Sequence, residues 1–236
     1  MVKSFMRHEE PIDLFGITAE LQTVICAKAI RFMDNGYPDL TSLQYLEHIP
    51  ENIEVWPYSK RNQAHDPQRT ILTFYEEDQL LYRNLNRIDV VISHLSLYYA
   101  ATGFDISPCI DARVQSQKAA LLTNALVNAA FMTNGIRVIP SLRTGGIETL
   151  DVLKCYPRNI CYAYGALGCN QRYQTLAGCI TALKLMLCEP SQVLVYGKPS
   201  REDQSIFAER GIPISVFADY QMNCRLRATE RNTTNV

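Results

Sequence analysis

From residue 89 to residue 219 the chain alternates two hydrophobic patterns: short runs that are apolar throughout, then longer stretches whose apolar residues fall three and four apart. The first pattern predicts buried strands and the second helices. RIDVVISHLSLYY, β-branched and apolar, predicts a strand ending near His94. ARVQSQKAALLTNALVNAAFMT (112–133) predicts a helix stopped by Asn134-Gly135. Strands over 136–140, NICYAYGALG (159–168), QVLVYG (192–197) and IPISVFAD (212–219) then alternate with helices. The helices fall on IETLDVLKCY (147–156), QRYQTLAGCITALKLMLCE (171–189) and EDQSIFAERG (202–211).

Strands apolar at every position, separated by helices, predict an α/β fold: a mostly parallel sheet of successive βα units covered by helices on both faces. The sheet is either open and doubly wound or barrel-like. Residues 1–88 are less regular, and form either an N-terminal cap or the opening units of the same domain. PIDLFGITAELQTVICAKAIRFMDNG (11–36) reads as helical in its second half, stopping at Asn35-Gly36. QRTILTFY (68–75) reads as a strand and EDQLLYRNLNRI (77–88) as a helix. The division is thus 1–88, a βα-repeat core over 89–219, and a tail, 220–236, too poor in apolar residues to pack and expected to fray.

Charge adds little. A formal net charge of −1 gives no global attraction to nucleic acid or acidic membranes, although a local basic groove stays open. No apolar run approaches the roughly 20 residues of a membrane span. MVKSFMRHEEPIDLFG has Glu9, Glu10 and Pro11 where a signal peptide needs its apolar stretch, so the expected location is cytoplasmic. The eight cysteines sit mostly inside apolar text, without a CxxC pair, and the four histidines are scattered. Reduced, structural thiols are expected, with Cys179 and Cys188 buried on their helix, and no metal site is assigned.

RVIPSLRTGG (137–146) raises the functional question, because an apolar strand there delivers an arginine and two glycines at its exit. In parallel α/β folds ligands bind beyond the strand C-termini. The polar residues at successive predicted exits are Ser93 and His94; Ser141 and Arg143; Tyr164 and Cys169; Tyr196 and Lys198; and Asp219. Glycines accompany three of them: Gly145 and Gly146, Gly165 and Gly168, and Gly197. The candidate ligand-binding set is Ser141, Arg143, Gly145, Tyr164, Gly165, Gly168, Tyr196 and Lys198, with His94 as acid or base. Each member has a structural alternative: turn geometry for the glycines, a brace to a carboxylate such as Glu148 for Arg143, a hydrogen-bonded imidazole for His94, strand tyrosines with wet hydroxyls, and an inert thiol for Cys169. If Arg143 contacts a ligand, its removal weakens binding and leaves melting nearly unchanged; if it is a brace, the reverse holds. Asp105 and Asp111 bracket the loop FDISPCIDAR beside Arg113, a pair too sparse to assign to a metal. GxGxxG, P-loop and GxSxG fingerprints are absent, and no cofactor is identified.

Three motifs, DVVISHLSLY (89–98), GIRVIPSLRTG (135–145) and ICYAYGALGC (160–169), closed by QVLVYG, resemble a domain-of-unknown-function family of bacteria, plasmids and phages, number four thousand four hundred and seventeen among such domains. The resemblance covers roughly residues 85–220. Its members show Ser-Pro-Asp-Phe-Ser after the first strand, Arg-x-Gly after the second and Gly-x-x-Gly-Cys after the third. Arg143 and Gly145, and Gly165, Gly168 and Cys169, match; Ser93-His94-Leu95-Ser96 stands where the acidic segment is expected, so an aspartate is missing there. The resemblance implies a mobile-element context and no established chemistry.

Two function classes follow, and whether the protein is an enzyme stays open. One is a site for a phosphate-bearing or anionic ligand, a nucleotide or nucleic-acid end, with Arg143 and Lys198 on phosphate and Tyr164 or Tyr196 against a base. The other is a non-catalytic phage or plasmid accessory protein that binds a host or element protein through the aromatics around Trp56, Tyr58 and Tyr75.

Overall fold

The structure, a computed structural model, describes residues 14–167 and 174–225. Its strands are β1 (Glu54–Pro57), β2 (Thr70–Thr73), β3 (Ala100–Thr102), β4 (Val138–Ile139), β5 (Cys161–Ala166), β6 (Gln192–Gly197) and β7 (Ile214–Phe217). Its α-helices are α1 (Leu14–Ala27), α2 (Asp78–Leu85), α3 (Ile88–Leu95), α4 (Val114–Thr133), α5 (Gln174–Cys188) and α6 (Arg201–Glu209). A 3-10 helix covers Ile147–Cys155, and residues 220–225 are helical.

The strands pair in parallel and in sequence order, β1 to β4 in one sheet and β5 to β7 in another. A parallel bridge between Ser141 and Ala163 joins the two, with Ala163 N–H donating to Pro140 O and Leu142 N–H to Ala163 O, both at 2.8 Å. This α/β sheet of βα units is also curled. Strands lie about 4.8 Å apart, so a flat sheet would hold β2 and β6 about 19 Å apart. Yet the Tyr75 ring, just past β2, stacks on Tyr196 of β6 at 5.9 Å. Trp56 of β1 likewise meets Tyr220, just past β7, at 6.3 Å. Strands in sequence order that return to their start make the barrel-like arrangement, and exclude the doubly wound one, in which strand order reverses.

Alternation within the strands sorts side chains to two sides. Val55, Ile71, Ala100, Ile139, Ala163 and Leu194 form the inner cluster, with Phe217 packed against it. Trp56, Leu72, Ala101, Val138, Tyr162 and Val195 face the helices in the larger outer cluster. The strand-entry end is crossed by 46–49: Cys161 N–H donates to Leu46 O at 2.7 Å, and Gln192 Oε1 accepts from Ile49 N–H at 2.8 Å. That leaves the exit end for a site.

Several sequence expectations are corrected. The run 88–95 is helix α3, not a strand: Ile88, Val91, Ile92 and Leu95 make a helical stripe against the core while Val90 stays exposed. Strand β3 lies twelve residues beyond Ile88. The helix expected in the second half of 11–36 occupies 14–27 instead. Asn35-Gly36 makes a turn under the Phe32–Pro38 bridge rather than a helix stop. Residue 89 falls within α3, and β1 and β2 belong to the same sheet as β3, in keeping with 1–88 as opening units. Of the supposed tail, 220–225 is helical and Tyr220 packs on Trp56, while 226–236 lies outside the described residues. Trp56, Tyr58 and Tyr75 are buried, so they cannot form an exposed docking patch. The seven described cysteines are free; Cys188 is buried as expected, but Cys179 is exposed because it faces away from the sheet on α5. No described helix is long and apolar enough to cross a membrane.

Candidate functional site

The loop after β3 carries Asp105, and α4 holds it in place. Asn124 and Asn128, one helical turn apart on α4, share a face and act as substitute backbone. Asn128 Oδ1 accepts from Phe104 N–H at 2.8 Å; Asn124 accepts from Ile106 N–H and donates to Ile106 O, both at 2.9 Å. Asp105 is thereby gripped on both sides. Gln117, also on α4, ties the same loop to the RTGG turn: its Nε2 donates to Ile110 O and Ala112 O, and its Oε1 accepts from Gly146 N–H at 2.7 Å. One helix thus sets two strand exits against each other.

Across that gap Arg143 meets Asp105. Its Nε lies 2.9 and 3.0 Å from the two carboxylate oxygens, and its Nη2 also bonds Oδ2. Ser141 Oγ donates to Asp105 Oδ1 at 3.1 Å and lies 3.2 Å from Tyr75 OH. The serine has one proton and spends it on the carboxylate, so Tyr75 donates to Ser141. The pair is unequal: the Asp105 side chain is 1% exposed, the Arg143 side chain 31%. Burial pushes the Asp105 pKa above the ordinary carboxylate value against the opposing pull of Arg143, with Asp78 pushing it further up. Lys184, on α5, feels the Arg143, Asp105 and Asp203 charges; burial first, then Arg143, lower its pKa to about 8.

The predicted site residues divide. Ser141 and Arg143 lie at the exit end of the barrel and belong to one network. Tyr196 points inward, stacks on Tyr75 and accepts from Tyr220 N–H at 3.0 Å. Gly165 makes room for Tyr75, since a Cβ there would fall 2.7 Å from its ring. Gly145 is tight against Gln117, whose Oε1 would lie 2.0 Å from a Cβ, so both glycines serve packing. Tyr164 faces outward, on the other side of the sheet from Tyr196, and bonds Asp203 of α6 at 3.0 Å. Lys198 is exposed beyond β6, and Gly168 and Cys169 lie outside the described residues. His94 is at no strand exit, because its segment is α3; its ring bonds Tyr58 OH at 2.8 Å.

Two further readings change. Arg143 braces a carboxylate, Asp105 rather than Glu148, so its removal lowers stability whether or not it contacts a ligand, and melting alone no longer separates the two roles. The strand before RVIPSLRTGG is β3, and an aspartate, Asp105, lies three residues past its end. Asp111 is exposed and the Asp105 carboxylate is engaged by Arg143; among the described residues no three His, Cys, Asp or Glu side chains group as metal ligands do. Tyr75, Asn124, Asn128 and Lys184 were not singled out as site residues from sequence. Only the asparagines left a signal, two amides four apart inside an apolar helix.

A cavity of about 160 Å³ lies at the strand entries, lined by Gln68, Tyr99 and Arg137 among others. Its polar groups are already engaged: Arg137 lies over the Tyr99 ring and Gln68 Nε2 donates to Leu97 O. The Asp105–Arg143 end is the better candidate, although only about 20 Å³ opens beside Arg143.

Asn124→Ala tests the grip on the loop. It leaves Ile106 N–H and C=O without partners in a buried position, which costs about 2–4 kcal/mol in unfolding free energy. Urea titration is expected to show a lower midpoint with an unchanged slope; an unchanged midpoint would contradict the pinning role. Comparison with protein-family models, with curated proteins and with solved structures gives no match for this chain.

Proposed function

We propose that the protein binds a small phosphate-bearing or similarly anionic ligand at the exit end of the barrel, with Arg143 as its principal contact and Lys184 as a second cation. The observation that carries this reading is the unequal Arg143–Asp105 pair. The carboxylate is concealed and the guanidinium is partly open, at the end of a parallel α/β sheet where ligands bind. A buried ion pair is a weak source of stability, and apolar residues of similar volume would often serve the fold as well. Fixing such a pair with Asn124, Asn128, Gln117 and Ser141 is what a preorganised binding group requires. A nucleotide or nucleic-acid end falls within this ligand class, and the mobile-element setting rests on the sequence motifs alone.

Calorimetric titration with inorganic pyrophosphate tests the reading. Arg143→Lys keeps a positive charge opposite Asp105 but loses the planar fork, and is expected to weaken binding about tenfold. Lys184→Met is expected to weaken it as well. Pyrophosphate affinity indifferent to both substitutions would contradict the assignment.

A further inference from the structure

We infer that binding of an oxyanion at Arg143 is coupled to the uptake of one proton by Asp105, so that the site captures anion and proton together. The inference rests on the anion-site reading above and specifies how that site is regulated.

The geometry leads to it. Asp105 has 1% of its side chain exposed, so solvent gives its charge almost no support. That support comes from Arg143 Nε and Nη2 and from the Ser141 hydroxyl. Among the described residues, the charged or titratable groups whose electrostatics reach it are Arg143 after β4, Tyr75 after β2, Asp78 on α2 and Lys184 on α5. Asp78 is a like charge, and Lys184 is itself inclined to lose its proton. Among the described residues, Arg143 is the cation hydrogen-bonded to Asp105.

An anion reaching the exposed part of the Arg143 side chain changes this balance in either of two ways. It draws the guanidinium away from Asp105, or it shares it and places a second negative charge beside a desolvated carboxylate. Both disfavour the ionised form, as when two carboxylates in one site hold a single proton. The proton comes from solvent and sits on a carboxylate oxygen; no other bond is made or broken. Before binding, burial already raises the Asp105 pKa, so a modest further push suffices. The sign follows: the bound state holds one more proton than the free state, and affinity rises as pH falls.

Inorganic sulfate is the probe, because its charge is constant between about pH 5 and 8 whereas phosphate titrates in that window. For the wild-type protein the sulfate Kd is expected to rise up to tenfold per pH unit across that range, the limit for one linked proton. Calorimetry in buffers of different ionisation enthalpy is expected to register the same uptake. Asp105→Asn mimics the protonated acid, and is expected to bind sulfate more tightly than wild type at pH 7.5 and without the pH slope. A flat wild-type profile with sulfate still bound would overturn the coupling and leave the anion site standing. If Lys184→Met flattens the slope and Asp105→Asn does not, the proton goes to the lysine and the inference falls. Sulfate binding that is absent, or unaffected by Arg143→Lys, would defeat the anion-site reading itself. Should Asp105→Asn fail to fold, the buffer-ionisation measurement on wild type together with Lys184→Met still decides.

Discussion

Arg143→Ala is expected to lower the unfolding free energy by about 3–5 kcal/mol, because it leaves Asp105 a buried carboxylate without its counter-charge. In a chain of this size each kcal/mol moves the melting temperature by about 2–4 °C, so the fall is of order 10 °C. The loss depends on pH. Without Arg143 the folded-state pKa of Asp105 stands further above its unfolded value, so the penalty is absent where the acid is protonated in both states. It grows as pH rises past the wild-type folded-state pKa of Asp105, which burial already holds above the ordinary carboxylate value. The double variant Arg143→Met/Asp105→Leu removes both charges and is expected to recover most of the stability, which neither single change can do. Thermal melts of the three variants at pH 5 and 7.5 check this. A single variant as stable as wild type would show that the two charges do not support each other.

Phe131→Ala is expected to cost about 3–5 kcal/mol, the range for emptying a buried aromatic site. Phe131 is fully buried on α4, stacks on Phe74 at 5.6 Å and meets Phe104 edge-on at 6.3 Å. Phe104 precedes Asp105, so the cavity opens behind the loop that carries the acid. Phe131→Leu keeps most of the volume and is expected to cost less than about 1.5 kcal/mol. Guanidinium titrations compare the two; equal midpoints for the two variants would mean that refilling the volume recovers nothing, and would contradict the cavity account.

What the sequence disclosed follows from the range of the interactions involved. Helix α4 and strands β4 to β6 were legible because their apolar runs are long or bounded by Gly and Pro, which are local signals. Strand β1 was hidden because four residues ending in Pro57 carry too little pattern to stand out. The 88–95 segment misled because β-branched residues favour strands, whereas spacing at 88, 91, 92 and 95 favours a helix, and packing against the core decided for spacing. That one error displaced the strand exit, put His94 in the candidate site and obscured Asp105. Arg143 was legible as an arginine placed after an apolar strand. Its partner was not, because Asp105 is 38 residues away and only the parallel pairing of β3 with β4 brings the two exits together. The side of the sheet on which Tyr164 lies was not legible either: residue number places a side chain near a strand exit, but the pleat decides which way it faces.

The most direct test of the anion site is to locate the anion. Crystals of the wild-type protein soaked in selenate, a sulfate analogue with an anomalous signal, are expected to show a selenium peak within salt-bridge reach of the Arg143 guanidinium and on the side facing Lys184. Peaks confined to exposed lysines such as Lys198, with none beside Arg143, would contradict the account.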